Sequence, residues 1–184
     1  MRKSMVHVSF DLVEKFTPRI PAFRIEGEFQ EDSKTERICA SSTILGALRG
    51  IPQGGKTLYQ MKQLGLPILI HAYYLEGAYV VPTDAQVPDR CITDEVWFLR
   101  EPEKIRRVDY LITHFELLPV KDIEHSFYFV LDAKVERCPY GDNKENLCSL
   151  FQKKMPDAMS EFSFRQIITN LGEEMFSLKE KRGL

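Results

Sequence analysis

The stretch ITDEVWFLREPEKIRRVDYLI, residues 92–112, contains two β-strand candidates separated by a charged turn. Residues 95–99 and 105–113 are rich in the β-branched and aromatic residues that favour strands. The run EPEKIRR between them is typical of a solvent-exposed turn. Glu95 stands at the start of the first strand, and a carboxylate beside apolar residues must be exposed, paired or used chemically. The sequence leaves these three alternatives open.

Further strands and helices are predicted on both sides of this stretch. Ser41 and Ser42 are suitable N-cap residues for a helix TILGALRG, whose end is marked by Gly50 and Pro52. A second helix is predicted for GGKTLYQMKQLG, and irregular structure is expected for the proline-bearing segments FTPRIPAFRIEGEFQED and VVPTDAQVPDRC. The other strand candidates are residues 5–10, 37–40, 66–75 and 126–135.

The spacing of apolar residues near the end of the chain predicts an amphipathic helix. Apolar residues recur there at spacings of three and four, which places them on one helical face, beginning near Asp157 or Ser160. We expect this helix to pack on the sheet. The apolar residues are Phe164, Ile167, Ile168, Leu171, Met175 and Leu178.

The composition is that of an ordered, water-soluble protein. The chain has 184 residues, a net charge of −2 and a hydrophobic fraction of 43%, and it has no apolar run of the roughly 20 residues that a membrane span needs. The first residues lack the apolar block of a secretory signal, so we expect a cytoplasmic protein. The acidic balance argues against a large generic nucleic-acid footprint, but it is compatible with a local basic patch.

The four cysteines are too widely spaced for a CxxC zinc motif, and in a reducing compartment they are expected to be free, buried side chains. We therefore expect no metal. A weaker alternative is a zinc site formed by Cys138, Cys148 and His125.

Three pieces in chain order resemble the ADP-ribosyltransferase fold, the family of diphtheria-toxin-like and poly(ADP-ribose)-polymerase-like enzymes. They are VHVSF at the first strand, RICASSTILGALRG as a strand followed by a helix, and TDEVWFLREPEKIRRVDYLI as a late strand carrying Glu95. The resemblance covers residues 5–115. It implies an α+β fold with a split, mostly antiparallel central sheet. The length of the chain predicts a single domain over residues 1–184, in which residues 1–118 would form the ADP-ribosyltransferase-like core and residues 119–184 a closing strand and the C-terminal helix.

The resemblance also implies an NAD site in a cleft between the His7 strand and the Glu95 strand. His7 would bind a ribose hydroxyl and Ser9 would stand beside it, although Val8 takes the place of the glycine common in the polymerase-like branch. The family often places tyrosines on the helix after the second strand, where this chain has Leu45 and Leu48. We therefore consider Tyr59, Tyr73 and Tyr74 as alternatives for stacking on the nicotinamide.

In the family the late-strand glutamate is the residue most closely tied to catalysis, and Glu95 matches it. A fixed carboxylate stabilises the positive charge that develops on the ribose as nicotinamide leaves. Arg19, Arg24 and Arg37 are candidates for binding the pyrophosphate, with Arg19 and Arg24 favoured because nearby prolines stiffen their loop. The ordinary alternative is surface pairing of these arginines with Glu26, Glu28 and Asp32.

The expected function is NAD-dependent transfer of ADP-ribose to a macromolecule, either protein or nucleic acid, or to water, with His7 and Glu95 as the catalytic residues. The alternative is a catalytically inactive domain of the same fold that binds a nucleotide or a protein partner.

A third interpretation uses the string GIPQGGKT, residues 50–57, which fits the letters of a phosphate-binding P-loop. A P-loop follows a buried strand, whereas a helix is predicted before this string, so we do not favour ATP or GTP binding.

Overall fold

The computed structural model describes residues 4–21, 31–63, 68–121 and 126–138. They form six strands and three short helices. The strands are β1 (Met5–Ser9), β2 (Ile38–Ser41), β3 (Ile68–Glu76), β4 (Glu95–Phe98), β5 (Lys104–Lys121) and β6 (Ser126–Arg137). The helices are α1 (Ile44–Arg49), α2 (Gly54–Gln63) and α3 (Arg90–Thr93).

The fold is α+β, as expected, with the six strands in one sheet in the order β4-β2-β1-β3-β5-β6. The pairs β1–β2, β2–β4 and β5–β6 are antiparallel. Within the described ranges the strands form a single sheet rather than two separate ones. The ladder between β1 and β2 is short, with Val6 registered against Ser41.

The strand predictions from residue composition are confirmed. β3 is buried over almost its whole length, which explains its near-continuous apolar sequence. β5 is longer than predicted, because the strand continues beyond Thr113 to Lys121 and pairs with β6 through two register shifts. Such bulges let a long hairpin twist without losing its pairing.

Two helix predictions need correction. The N-cap of α1 is Thr43, not Ser41 or Ser42: its side chain accepts a hydrogen bond from the Gly46 backbone N–H. Ser41 is the last residue of β2, so it cannot cap the helix, which begins at Ile44. α3 overlaps the end of the segment predicted as irregular, residues 80–91, and was not predicted because its four residues are too few to show helical periodicity. The predicted C-terminal helix lies outside the described residues.

The chain divides into two compact units, which are described separately. Unit 1 comprises Met1–Val8, Val13–Gly54 and Ala72–Arg107. Its core is an apolar cluster on one face of the sheet, against which Val13 packs. The cluster consists of Met5, Phe16, Ile38, Ala40, Tyr73, Leu75, Val96 and Phe98.

Unit 2 comprises Ser9–Leu12, Gly55–His71 and Val108–Leu184. Helix α2 lies against the β5–β6 hairpin, where the Tyr59 ring stacks on Tyr128, and its Leu58 and Met61 side chains are fully buried. Gly55 lies so close to the hairpin that an added Cβ would stand 1.7 Å from the Tyr128 carbonyl oxygen. The absence of a side chain at Gly55 therefore sets how closely α2 approaches β6.

The substitution Gly55→Ala is expected to destabilise the protein by about 1–3 kcal/mol or more, because backbone atoms must move apart to admit the methyl group. Chemical denaturation of the variant measures this loss. Gly50→Ala is the control, since its Cβ would meet only an ordinary contact, 3.5 Å from the Ala47 carbonyl oxygen. Equal stability of the two variants would contradict the close packing of α2.

Candidate functional site

The three sequence pieces that carry the family resemblance lie on neighbouring strands. β2 has β4 on one side and β1 on the other. Ser41, at the end of β2, is registered against Glu95 of β4 and against Val6 of β1. The head of β4 and the first strand are thus both joined to one residue of β2.

Glu95 is half-buried and already has hydrogen-bond donors. The Trp97 Nε1–H donates to its carboxylate at 2.6 Å, and the Cys39 thiol also interacts with it. Burial raises the pKa of the Glu95 carboxyl above its ordinary value, while the hydrogen bonds from Cys39 and Trp97 oppose this rise. The Nζ of Lys104, a cation close to Glu95 in the sequence, lies 3.9 Å from a Glu76 carboxylate oxygen. The carboxylate at the start of β4 is therefore held in place by neutral donors.

Arg37 is a buried structural residue and not a free phosphate ligand. Its guanidinium carbon lies 4.4 Å above the centre of the Trp97 ring, and the side chain is 2% exposed. It forms ion pairs with Glu31 and Asp32 and donates to the Thr35 carbonyl at 3.0 Å. The pairing with Asp32 matches the ordinary alternative for this arginine, but the arginine is buried and only the aspartate is partly exposed.

A polar turn stands beside Glu95, between β2 and α1. The Ser42 hydroxyl donates to the Asp94 carboxylate, and Asp94 has a left-handed backbone conformation at the end of α3. Gly46 packs tightly here, because an added Cβ would stand 2.3 Å from both the Ser41 hydroxyl and the Thr93 carbonyl oxygen. The turn and α3 are therefore fixed relative to the head of β4.

His7 is held by the backbone of β2. Its Nδ1 donates to the Cys39 carbonyl at 2.8 Å, and its ring meets Phe16 edge-on at 5.3 Å. Burial lowers the pKa of His7; the Cys39 carbonyl opposes this, and the charge of Arg19 lowers the pKa further. A neutral ring that donates through Nδ1 leaves Nε2 as a hydrogen-bond acceptor.

His7 and Glu95 project from opposite faces of the sheet in unit 1. Val6, Ser41 and Glu95 form one row across three strands, and the next residue along a strand points to the other face. His7, which follows Val6, therefore points toward Phe16 in the apolar cluster. The register links both side chains to β2 but does not bring them to one face.

The other predicted NAD-binding residues are distributed over both units. Arg19 is exposed in unit 1, and its backbone pairs with Arg37; Arg24 lies outside the described residues. Ser9 belongs to unit 2, where its hydroxyl accepts from the Asp11 backbone N–H at 3.0 Å. The structure thus brings Arg19 near His7 in unit 1.

The three candidate tyrosines have different environments. Tyr73 is buried in unit 1, with its ring 6.4 Å from His7 and its hydroxyl accepting from the Val13 N–H at 2.8 Å. The ring of Tyr74 is covered by Arg106, whose guanidinium carbon lies 4.6 Å from the ring centre. Tyr59 is exposed on α2 in unit 2 and stacks on another tyrosine. Tyr73 is the candidate that lies in the surroundings of His7.

Sequence reasoning missed a buried hydrogen-bonded pair in unit 2. His71 Nδ1 lies 2.8 Å from the Asp109 carboxylate, and both side chains are almost fully buried. The partner could not be identified, because the sequence does not say that the strands carrying the two residues are neighbours. His71 Nε2 has no hydrogen-bond partner in the part of the chain that the structure describes.

Other site types find little support. Across residues 4–21, 31–63, 68–121 and 126–138, no group of three His, Cys, Asp or Glu side chains is arranged to hold a metal ion. Cys138 is buried, while His125 and Cys148 of the zinc alternative lie outside those ranges. The helix α2 follows a turn after α1 rather than a strand, so the GGKT string lacks the context of a P-loop.

The described residues also contain no helix that is both long and apolar enough to span a membrane. Comparison of the chain with protein-family models, with curated proteins and with solved structures finds no match in any of the three.

The substitution Glu95→Gln is expected to stabilise the protein increasingly as the pH rises from 4.5, the ordinary pKa of a glutamate, toward neutrality. Because the folded-state pKa is raised, the native protein binds more protons than the unfolded chain in this range, and the unfolding free energy falls with rising pH. Glutamine does not titrate, so the unfolding free energy of the variant does not fall in this way. Urea denaturation over a pH series measures the difference, with the exposed Glu14→Gln as control; a difference that shrinks with pH would contradict the raised pKa.

The substitution Arg37→Ala is expected to cost about 1–3 kcal/mol, because it leaves the partly buried carboxylates of Glu31 and Asp32 without their cation. Arg37→Lys keeps the charge but loses the flat stacking on Trp97, so we expect an intermediate loss. Denaturation midpoints of the two variants measure both losses of stability. Arg19→Ala, at an exposed position, should change the unfolding free energy by no more than about 0.5 kcal/mol. A small effect at Arg37 would show that the buried network does not stabilise unit 1.

Proposed function

We propose that this chain is an ADP-ribosyltransferase-like domain that transfers ADP-ribose from NAD to a macromolecular acceptor, or to water. The observation that carries the proposal is the half-buried Glu95 carboxylate at the head of β4, fixed by the Trp97 Nε1–H at 2.6 Å. A fixed carboxylate in a partly desolvated position is suited to stabilising a cation that exists only in the transition state.

In the proposed reaction the bond between nicotinamide and the ribose breaks, and its electron pair leaves with nicotinamide. Glu95 accepts a hydrogen bond from the 2′-hydroxyl and stabilises the positive charge on the sugar. The acceptor then forms a bond to the same ribose carbon and releases its proton to solvent. Trp97 and Cys39 contribute by keeping the carboxylate in position, so it need not reorganise during the reaction.

The strand arrangement supports the proposal. β1, β2 and β4 carry the three motif pieces and are adjacent in the order β4-β2-β1. The β1–β2 ladder has Val6 registered against Ser41, and the Cys39 carbonyl accepts from the His7 side chain.

The role proposed for His7 differs from direct participation in catalysis. Because His7 and Glu95 project from opposite faces, we assign the reacting carboxylate to Glu95 and treat His7 as a positioning residue. His7 fixes the backbone of Cys39, whose thiol interacts with Glu95. His7 is therefore not assigned a contact with the NAD molecule on which Glu95 acts, because it lies on the other face of the sheet.

A second candidate is a catalytically inactive domain that binds a nucleotide or a protein partner. The opposite faces of His7 and Glu95 favour this alternative, as does Val8 in place of the glycine common in the polymerase-like branch. The two candidates differ in whether NAD is consumed.

Incubation of the full chain with NAD labelled in the nicotinamide tests the proposal. The wild type is expected to release nicotinamide, and Glu95→Gln is expected to lower the rate about 100- to 1,000-fold, as for loss of a single electrostatic contact to the transition state. Calorimetric titration should show NAD binding retained in this variant. The exposed Glu14→Gln should keep the wild-type rate.

Release at the wild-type rate by Glu95→Gln would overturn the assignment of Glu95. Binding of NAD without release by the wild type would favour the inactive domain. Absence of both binding and release would overturn the proposed function itself.

A further inference from the structure

The helix α2 in unit 2 has an unusual charge environment for this chain. The whole protein has a net charge of −2, yet residues 37–75 contain no aspartate or glutamate. α2 contributes Lys56 and Lys62 from this acid-free segment, and both are exposed. The surface of α2 is therefore basic in a protein that is acidic on average.

An aromatic pair stands between the two lysines. Tyr59 is three residues from each of them, so the three side chains occupy successive turns of one side of the helix. Its ring stacks on Tyr128 of β6, with a centroid distance of 4.3 Å and an interplanar angle of 11°. The Lys62 Nζ lies 5.4 Å from the centre of the Phe115 ring on β5. Cations and aromatic rings thus alternate along this surface, which we call the α2 surface: Lys56, Tyr59, Lys62, Phe115 and Tyr128.

The α2 surface is held in place by the buried residues of the helix and by the hairpin. Leu58 and Met61 are fully buried, and Gly55 lies against the backbone of Tyr128. Tyr59 itself is 37% exposed, so part of its ring remains accessible while Tyr128 fixes its orientation. A ring that is already ordered loses little conformational entropy when a ligand stacks on it.

We propose that the α2 surface binds single-stranded nucleic acid. An unpaired base stacks against the aromatic pair at Tyr59, and the phosphates on either side of it lie near Lys56 and Lys62, which are about 9 Å apart along the helix axis. Aromatic rings flanked by basic side chains recognise single strands in this way, because every base has a flat π face and every linkage carries a negative charge. The lysines alone would suit any polyanion; the exposed tyrosine stack selects one that carries flat rings.

This inference goes beyond the proposed ADP-ribosyl transfer and does not depend on it. Binding is measured in the absence of NAD, so its failure would leave the test of Glu95 unaffected.

Fluorescence anisotropy with dye-labelled single-stranded RNA and DNA oligonucleotides of mixed sequence tests the proposal. Tyr59→Ala is expected to weaken binding about 5- to 100-fold, the range found for loss of one base-stacking ring. Tyr59→Leu, which keeps apolar packing on the hairpin, should weaken binding similarly, whereas Tyr59→Phe should bind like the wild type. Lys56→Ala and Lys62→Ala should each make the slope of log affinity against log salt shallower by about 0.7.

Matched controls come from unit 1. Tyr79 is also 37% exposed, and Lys104 has a side chain that is 79% exposed, so Tyr79→Ala and Lys104→Ala should leave binding unchanged. Circular dichroism confirms that each variant is folded. The proposal is overturned by a wild type that does not bind at low salt, by Tyr59→Leu binding like the wild type, or by polyglutamate competing as well as an unlabelled oligonucleotide.

Discussion

The buried guanidinium of Arg37 is the interaction on which unit 1 depends. Removing an arginine from water costs several kcal/mol unless its donors are used, and here Nη1 and Nη2 reach Glu31, Asp32 and the Thr35 carbonyl, while Nε has no hydrogen-bond partner among the described residues. Stacking on Trp97 adds a cation–π contact. The network joins residues 31–35 to the start of β2 and to the middle of β4. The strand pairing beside the candidate site therefore depends on a guanidinium that is shielded from water and relies on its protein partners.

Burial raises the pKa of Glu95 and so disfavours its charged form, although the charge of Arg37 in this network opposes the effect. A carboxylate at this position is partly desolvated, and its donors, Trp97 and Cys39, only partly offset the rise in its pKa. A glutamine at this position cannot ionise, so it would not carry the cost of a partly desolvated charge. Residues that lower stability in this way are characteristic of functional sites, where a preorganised charge is needed for chemistry or binding.

Much of the fold was predictable from the sequence, but the long-range contacts were not. The strands were found because β-branched and aromatic runs are bounded by turn residues, and the contact between Glu95 and Trp97 follows from the two-residue period of a strand. The same period places His7 and Glu95 on different faces of the sheet, but this can be worked out only when Val6 is known to register against Ser41. Register and strand order depend on tertiary packing, so neither the separation of the faces nor the burial of Arg37 is encoded in any local pattern.

Net charge is an average over the chain, and unit 2 shows the limit of arguments based on it. A value of −2 argues against a protein that is basic over most of its surface. It does not describe α2, because the acidic residues are absent from 37–75 and are concentrated elsewhere. Electrostatic attraction between exposed groups is screened beyond about 8 Å at physiological salt. A polyanion at Lys56 and Lys62 would therefore respond chiefly to the charges beside it, and the distribution of charge carries more information about partners than its sum.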